Sequence, residues 1–443
     1  MDVLFLHPNF PGQFKLLAQA LAAQPGMRVH ALGDRSWMSR TEHPAIRVWT
    51  YDAPDAAADG VHAYLRGADA AVRRGQVVAR FLMAQKQKGY EPDVIYAHPG
   101  WGDALYVKDI FPDAKVISLL EYFYQPRGAD VGFDKEFPLG LDDIFRVRTL
   151  NVVQHLALEG SDLYISPTAW QKSRYPQRYQ ADIELIHEGI DTDSLQPDPN
   201  AQLEIAETSC TLGGQTWTIP AVTLRRGDEV LTYVSRSLEP YRGFHVFMRS
   251  LPEILRRRPQ CHVVIVGKLQ AHYGPMPRHG GSWRDVLLTE IAPQLDPSML
   301  ERIHFLGYVP YARYLQVLQV SRVHAYLTYP FILSWSLLEA MAMGCLVVAS
   351  QTPPVEEVIE DGHNGLLVPF HWPQVLAGQV VDAMANPERH AHVSAMARET
   401  VRERFDFQTV VLPRHLQLLQ QLQAQEQAQD QTSNPIEPHE AVH

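Results

Sequence analysis

The stretch EVLTYVSRSLEPYRGFHVFMRSLPEILRRRPQCHVVIVG, residues 229–267, decides the fold. EVLTYVSR (229–236) and CHVVIVG (261–267) are short, β-branched apolar runs, and the segment between them has the length and periodicity of a helix near 243–257. Continuous rather than alternating hydrophobicity marks strands buried on both faces, and two parallel strands need a crossover of this length. The unit therefore reads as strand, helix, parallel strand. Outward from it the same rhythm continues through IHFLGYV (303–309), VHAYLT (323–328), LVVAS (346–350) and GLLVP (365–369).

The first half repeats the pattern. Candidate strands are DVLFLH (2–7), RVHALG (28–33), IRVWTY (46–51), DVIYAH (93–98), KVISLL (115–120), DLYISP (162–167) and IELIHEG (183–189), with a long amphipathic helix at about 60–89. Between about 191 and 228 the rhythm breaks into turns and short extended pieces, which marks a domain junction. The expected architecture is α/β, with two tandem Rossmann-like, doubly wound parallel-sheet domains facing across a cleft. The expected divisions are 1–195, 196–405 with an extended insert at 200–228, a C-terminal helix at 406–424 packing back on the first domain, and a disordered Gln-rich tail at 425–443.

Composition narrows the function. The 443 residues carry a formal charge of -11, with 46% apolar and 20% charged residues, and a pI near 6.0. Such a chain would repel a phosphate backbone, and its one dense basic run, Arg256–Arg258, falls at an expected helix end where cations suit the dipole. No nucleic-acid partner is expected. Cys210, Cys261 and Cys345 are too dispersed for a disulfide framework or a thiolate zinc site. The N-terminal MDVLFLHPNF lacks a charged leader and no window reaches 18 consecutive apolar residues, so neither a signal peptide nor a membrane span is expected, and a cytoplasmic location is.

In open α/β sheets, ligands bind outside the carboxyl ends of the strands. The junction LHPNFPGQF places Gly12 at a helix start, where a ligand can approach backbone amides. His98 ends a strand before a rigid Pro-Gly-Trp-Gly turn, and Glu121 lies just past the next strand. Arg236 and Arg242 converge on the start of a helix, where cations oppose the dipole, so an anion such as a pyrophosphate should compensate them. Glu239 between them offers an internal ion pair as the alternative. In YPFILSWSLLEAMAMGCLVVAS (329–350), Ser334 can cap a helix whose free amides at Ser334 and Trp335 would hold phosphate oxygens. Glu339, further along that helix, could accept hydrogen bonds from the vicinal hydroxyls of a ribose, or be neutralised by one of the arginines.

These residues, with SRSLEPYRGFHVF, HFLGYVP, SLLEAMAMGCLVVAS and VEEVIEDGHNGLLV, resemble the family 4 retaining glycosyltransferases of the GT-B fold, which use nucleotide-activated sugars. The resemblance extends to about residue 405. It implies that Gly12 approaches the donor diphosphate and that His98 lies near donor sugar and acceptor. It further implies that Arg236 and Arg242 bind phosphate, Arg242 standing where lysine is more usual, and that Glu339 is the second acid of the E-x7-E motif, on the ribose. Tyr308, within HFLGYVP, joins Gly12, Ser334, Trp335 and Glu339 on the donor side, while His98 and Glu121 are acceptor-side candidates. Phe331 stands where the first acid of that motif normally sits, and ILSW replaces the usual glycine-rich loop.

The resemblance implies a retaining, metal-independent hexosyl transfer in which Arg236, Arg242 and helix-terminal amides stabilise the departing diphosphate. No cofactor is expected. The Asp-Thr-Asp at 191–193 matches a cation-binding pattern of other glycosyltransferases but sits in what resembles this family's interdomain turn, so no metal ligand is assigned. The expected partners are a nucleotide-sugar donor and a glycan, lipid-linked or other hydroxyl acceptor, in bacterial-type polysaccharide or glycoconjugate synthesis, with peripheral contact at the inner face of the cell membrane left open. Loss of the acid at position 331 keeps two alternatives in view: a nucleotide-sugar-binding protein without turnover, and a GT-B epimerase.

Overall fold

A computed structural model describes residues 1–38, 44–54, 60–212, 215–278 and 280–433. The first sheet has seven strands: β1 (Asp2–Leu6), β2 (Arg28–Asp34), β3 (Ile46–Tyr51), β4 (Val94–Ala97), β5 (Lys115–Leu119), β6 (Leu163–Ser166) and β7 (Ile183–Leu185). All pairings are parallel, in the order β3-β2-β1-β4-β5-β6-β7. Four short strands follow, β8 (Gln202–Ile205), β9 (Thr208–Leu212), β10 (Gln215–Ile219) and β11 (Val222–Arg225), as two antiparallel pairs. The second sheet contains β12 (Val230–Ser237), β13 (His262–Lys268), β14 (Ile303–Gly307), β15 (Val323–Tyr326), β16 (Leu346–Ser350) and β17 (Leu366–Val368), also parallel, in the order β14-β13-β12-β15-β16-β17.

The apolar runs become strands because both faces of each sheet are covered. In β1, Val3 and Phe5 enter one core while Leu4 and Leu6 enter another. In β13, Val263 and Ile265 pack into one layer and Val264 and Val266 into the opposite one. With a side-chain period of two, a strand buried on both faces must be apolar throughout, which is the sequence pattern seen.

The chain returns to its first domain at the end. Ile190 and Asp406 form a parallel bridge, and Thr192 Oγ1 donates to Asp406 Oδ2 at 2.5 Å. Phe407, Val411, Leu418, Leu419 and Leu422 then join the first-domain core, and buried His415 meets the Tyr96 hydroxyl at 3.2 Å. The closing helix, Leu412–Ser433, continues beyond the expected end at 424. The remainder of the expected tail, 434–443, lies outside the described residues. Among the described residues no helix is long and apolar enough to cross a membrane.

Each sheet reverses its strand order once, between β1 and β4 and between β12 and β15. Loops leaving adjacent strands at such a point diverge to opposite faces and leave a crevice.

Candidate functional site

The site residues fall at these two reversals. After β1, Gly12 opens a short 3₁₀ turn, Gly12–Phe14, ahead of the helix Lys15–Ala22. Its φ of +48° and the space around it both require glycine, since a Cβ would lie 2.6 Å from the His7 ring. His7 is buried and its Nδ1 accepts from the Asn9 amide at 3.0 Å. Burial, with His98 nearby, lowers its pKa to about 3. The rings of His7 and His98 meet edge to face with centroids 5.9 Å apart.

His98 leaves β4 with Nδ1 accepting from the Gly100 amide at 3.2 Å, which places the proton on Nε2, 3.1 Å from Glu121 Oε2. Gln13 donates to the other Glu121 oxygen at 2.8 Å. Burial works against the Glu121 charge, but these hydrogen bonds outweigh it and hold the carboxyl below its ordinary range. His98, Glu121, His7 and Gly12 thus form one polar cluster at the mouth of the first sheet.

At the second reversal, the register of β12 shifts between Val234 and Ser237, and this irregularity turns Arg236 outward. Its Nη1 reaches Tyr273 Oη at 3.3 Å and His272 Nε2 at 3.4 Å. Arg242 donates through Nη1 to Thr328 Oγ1 and to the Ile332 carbonyl, each at 2.9 Å. Glu239 pairs with neither arginine. Its carboxylate is buried and accepts from the backbone amides of His272, Tyr273 and Gly274 at 2.9–3.0 Å. Three amide donors satisfy it, and the loop it holds brings Tyr273 over Arg242. Among the described residues neither Arg236 nor Arg242 has a carboxylate partner, so both charges remain available to a ligand.

Phe331 is fully buried and part of an aromatic cluster that joins the two domains. Its ring lies 4.8 Å from Tyr122, 5.3 Å from Tyr241 and 5.0 Å from Tyr273, and the Arg242 guanidinium sits 5.5 Å from its centroid. Where an acid would pair with the arginine, an aromatic face meets it instead.

Ser334 caps the helix Trp335–Ala342, its side chain accepting from the Ser336 amide at 3.4 Å. Contrary to expectation, the Ser334 amide is not free, since it donates to the Tyr326 hydroxyl at 2.8 Å. Glu339 is buried on this helix, and among the described residues no arginine pairs with it. Tyr311 and Tyr314 donate to its two oxygens at 2.6 and 2.5 Å. Burial raises its pKa, while the tyrosines, with Lys15 of the first domain, pull it back down. Lys15 itself stands 4.9 Å from the Tyr311 ring, so the helix that follows Gly12 meets Glu339 across the cleft.

Sequence reasoning missed these tyrosines, the Glu239 loop anchor, and a strap at 129–137 running from the first domain onto the second. In the strap, Asp130 accepts from Tyr122 at 2.6 Å and from Tyr241. Asp134 accepts from Tyr329 at 2.8 Å and from His245 Nε2 at 3.0 Å, and Glu136 pairs with Arg249 at 2.7 Å. Asp134, Glu136 and His245 stand close enough to share a cation and line a cavity of about 350 Å³, with the Asp134 and Glu136 carboxylates already engaged by these bonds. The Asp-Thr-Asp segment is a turn in which Asp191 accepts from the Ser194 amide at 3.1 Å. Tyr308 is not gathered into the cluster. It is exposed, with Lys268 4.9 Å from its ring.

Two parallel-sheet domains with polar clusters at facing strand reversals define a protein of the GT-B type. Residues 25–195 match the family described as Glycosyl transferase family 4 group and residues 215–400 match Glycosyl transferases group 1, and the chain belongs to this group of glycosyl transferases. A D-inositol 3-phosphate glycosyltransferase of Nocardia farcinica is 27% identical over 231 residues, 50% of this chain and 46% of that protein. A phosphatidyl-myo-inositol mannosyltransferase of Mycobacterium tuberculosis is 28% identical over 182 residues, 41% of each. The chain therefore spans less than half the length of these curated relatives. A sucrose-phosphate synthase of Thermosynechococcus elongatus superposes with a TM-score of 0.69 at 18% identity, over 96% of this chain and 99% of that one. Anabaena HepE, solved with UDP, does so at 0.64 and 18%, over 95% and 100%. At such identities the likeness establishes the fold.

Proposed function

We propose that the protein is a retaining, metal-independent glycosyltransferase that moves a hexosyl group from a nucleoside-diphosphate sugar to a hydroxyl acceptor. The observation that carries this reading is the pair of arginines, Arg236 and Arg242, left without a carboxylate at the reversal that also holds the helix Trp335–Ala342. Guanidinium forks of this kind match the leaving diphosphate, and Glu339, oriented by two tyrosines, suits the ribose hydroxyls. The acceptor hydroxyl attacks the anomeric carbon from the face the diphosphate leaves. The C–O bond to the phosphate breaks, the new glycosidic bond forms, and the leaving phosphate takes the hydroxyl proton. The arginines act as a preorganised clamp on the developing charge, and losing one such donor costs on the order of 10²–10³ in rate.

His98 and Glu121 take the acceptor side, and Gly12 approaches the diphosphate. HepE has been solved with UDP-glucose, and inositol appears in the names of both relatives above. A polyol or glycolipid acceptor, met in the cytoplasm or at the inner face of the membrane, fits both. Incubation with UDP- and GDP-sugars, followed by detection of hydrolysis or transfer, tests the reading. Turnover with one donor, lost in Arg236→Ala, is expected; wild type and variant equally inert toward every donor would sink it. Phe331 favours a second reading, binding without turnover, because it fills the usual acid's place with an apolar ring. Tight nucleotide binding with no product across acceptors, and activity gained by Phe331→Glu, would select it.

A further inference from the structure

We infer that Trp37, Trp101, Arg74, Asp34 and Asp103 form an acceptor subsite that takes a neutral polyhydroxyl ring, a sugar or a cyclic polyol. The ring packs on the tryptophans while its hydroxyls bond to the carboxylates and the guanidinium. The inference deepens the glycosyltransferase reading and rests on it.

Four of these residues gather at the carboxyl ends of neighbouring strands. Asp34 ends β2 and stands opposite Tyr51, the last residue of β3. The Tyr51 hydroxyl donates to Asp103 Oδ1 at 2.6 Å, and Asp103 follows the turn Pro99–Trp101 beyond β4. Trp37 lies one turn past Asp34, its amide donating to the Asp34 carbonyl at 3.1 Å. The Trp37 and Trp101 rings meet at 90° with centroids 5.9 Å apart. Arg74, on the helix Arg66–Lys86, ties this corner together: its guanidinium is 4.9 Å from the Trp37 ring, and Nη1 donates to the Trp101 carbonyl at 3.1 Å. The His98 ring is 6.1 Å from that of Trp101, so the corner adjoins the acceptor-side cluster.

Folding alone explains neither the rings nor the acids here. The tryptophans stay 47% and 39% exposed, whereas Asp34 and Asp103 are each only 1% exposed. Asp34 Oδ1 accepts from the Ser36 amide and hydroxyl at 2.9 and 2.7 Å, and Asp103 Oδ1 from Tyr51, but neither Oδ2 has a donor among the described residues. Arg74 Nε has no acceptor among them either. Buried polar atoms left unpaired are costly.

Two acceptors and one donor define the chemistry they await. Carboxylate oxygens only accept, so they repel an anion and call for O–H or N–H groups, while a guanidinium only donates. A hydroxyl does both, and so satisfies all three. Sugars and cyclic polyols carry several hydroxyls on a ring with apolar C–H faces, which exposed tryptophan faces can cover. A cationic ligand would suit the carboxylates but meet Arg74 as a like charge.

The test is saturation-transfer NMR of the full chain with methyl α-glucoside, methyl α-mannoside, myo-inositol and glucose 6-phosphate, each titrated without donor. At least one neutral probe should show saturable transfer, with glucose 6-phosphate binding more weakly. Asp103→Asn should weaken that binding about 10-fold or more, as loss of a hydrogen bond to a charged group does. Trp37→Ala, which removes a half-exposed ring, should weaken it too and decides the matter if Asp103→Asn fails to fold. No saturable transfer to any neutral probe, meaning that ordered water only fills the corner, overturns the inference. Tighter binding of glucose 6-phosphate, or unchanged affinity in a folded variant, does the same. Titration calorimetry of wild type with UDP-glucose and GDP-mannose separates the two readings: binding of neither overturns the glycosyltransferase reading, whereas donor binding without polyol binding overturns this inference alone.

Discussion

Tyr314→Phe removes one oxygen from the wall around Glu339. The hydroxyl lost is buried and donates at 2.5 Å, leaving Tyr311 at 2.6 Å as the carboxylate's remaining donor. A hydrogen bond to a charged group contributes about 1.5–3 kcal/mol, and an unsatisfied buried carboxylate oxygen costs a similar amount. Each kcal/mol moves the transition of a domain of roughly 200 residues by about 2–4 °C, so the second domain should melt about 3–12 °C lower at pH 8. The sign with pH follows from burial, which already holds the Glu339 pKa above its unfolded value against the two tyrosines. Losing one tyrosine raises it further. The folded protein then holds the proton more tightly than the unfolded chain, so the deficit is full where wild-type Glu339 is ionised and shrinks as pH falls toward the ordinary carboxylate range. Differential scanning calorimetry of wild type and variant at pH 8 and pH 4.5 measures both. An unchanged transition at pH 8, or an equal loss at the two pH values, refutes the assignment of Glu339 as a buried, tyrosine-held carboxylate.

Gly12→Ala should cost about 1–2 kcal/mol for the left-handed backbone alone, and more from contact with the His7 ring; a melting curve matching wild type would contradict this. Phe331→Ala should destabilise by about 3–5 kcal/mol, as a large-to-small change in a packed cluster does, with Phe331→Leu clearly milder in the same denaturant titration. Asp134→Asn keeps shape but gives up the charge facing His245, whose hydrogen bond, opposing burial, helps hold the Asp134 carboxyl at about 2. At neutral pH the strap should loosen, and trypsin should cut faster at Arg127 and Lys135; an unchanged digestion rate counts against the strap as a tie between domains.

The sheets were legible because doubly covered strands must be apolar throughout, and all the expected runs of both halves became strands. Arg236, Arg242 and Glu339 stood out because each placed a charge where a helix end or an apolar face disfavours it. Their partners did not, because those partners are distant in the chain. Tyr311 and Tyr314, three apart on the helix Tyr311–Val320, look like ordinary amphipathic tyrosines until the fold sets them against Glu339. Glu239 resembled an arginine partner because the three amides that hold it lie more than 30 residues away. The closing helix outlasts its apolar stripe, which is where a pattern-based end was placed.

The central claim is that the two unpaired arginines receive a nucleoside diphosphate. Thermal unfolding of the full chain with UDP, GDP and their hexose conjugates measures this directly, since a ligand at 100 times its Kd stabilises by about 2.7 kcal/mol. One nucleotide series should raise the transition in wild type and fail to do so, at the same concentration, in Arg236→Ala, whose exposed side chain contributes little to the fold. No shift with any nucleotide, or an equal shift in wild type and variant, would contradict it.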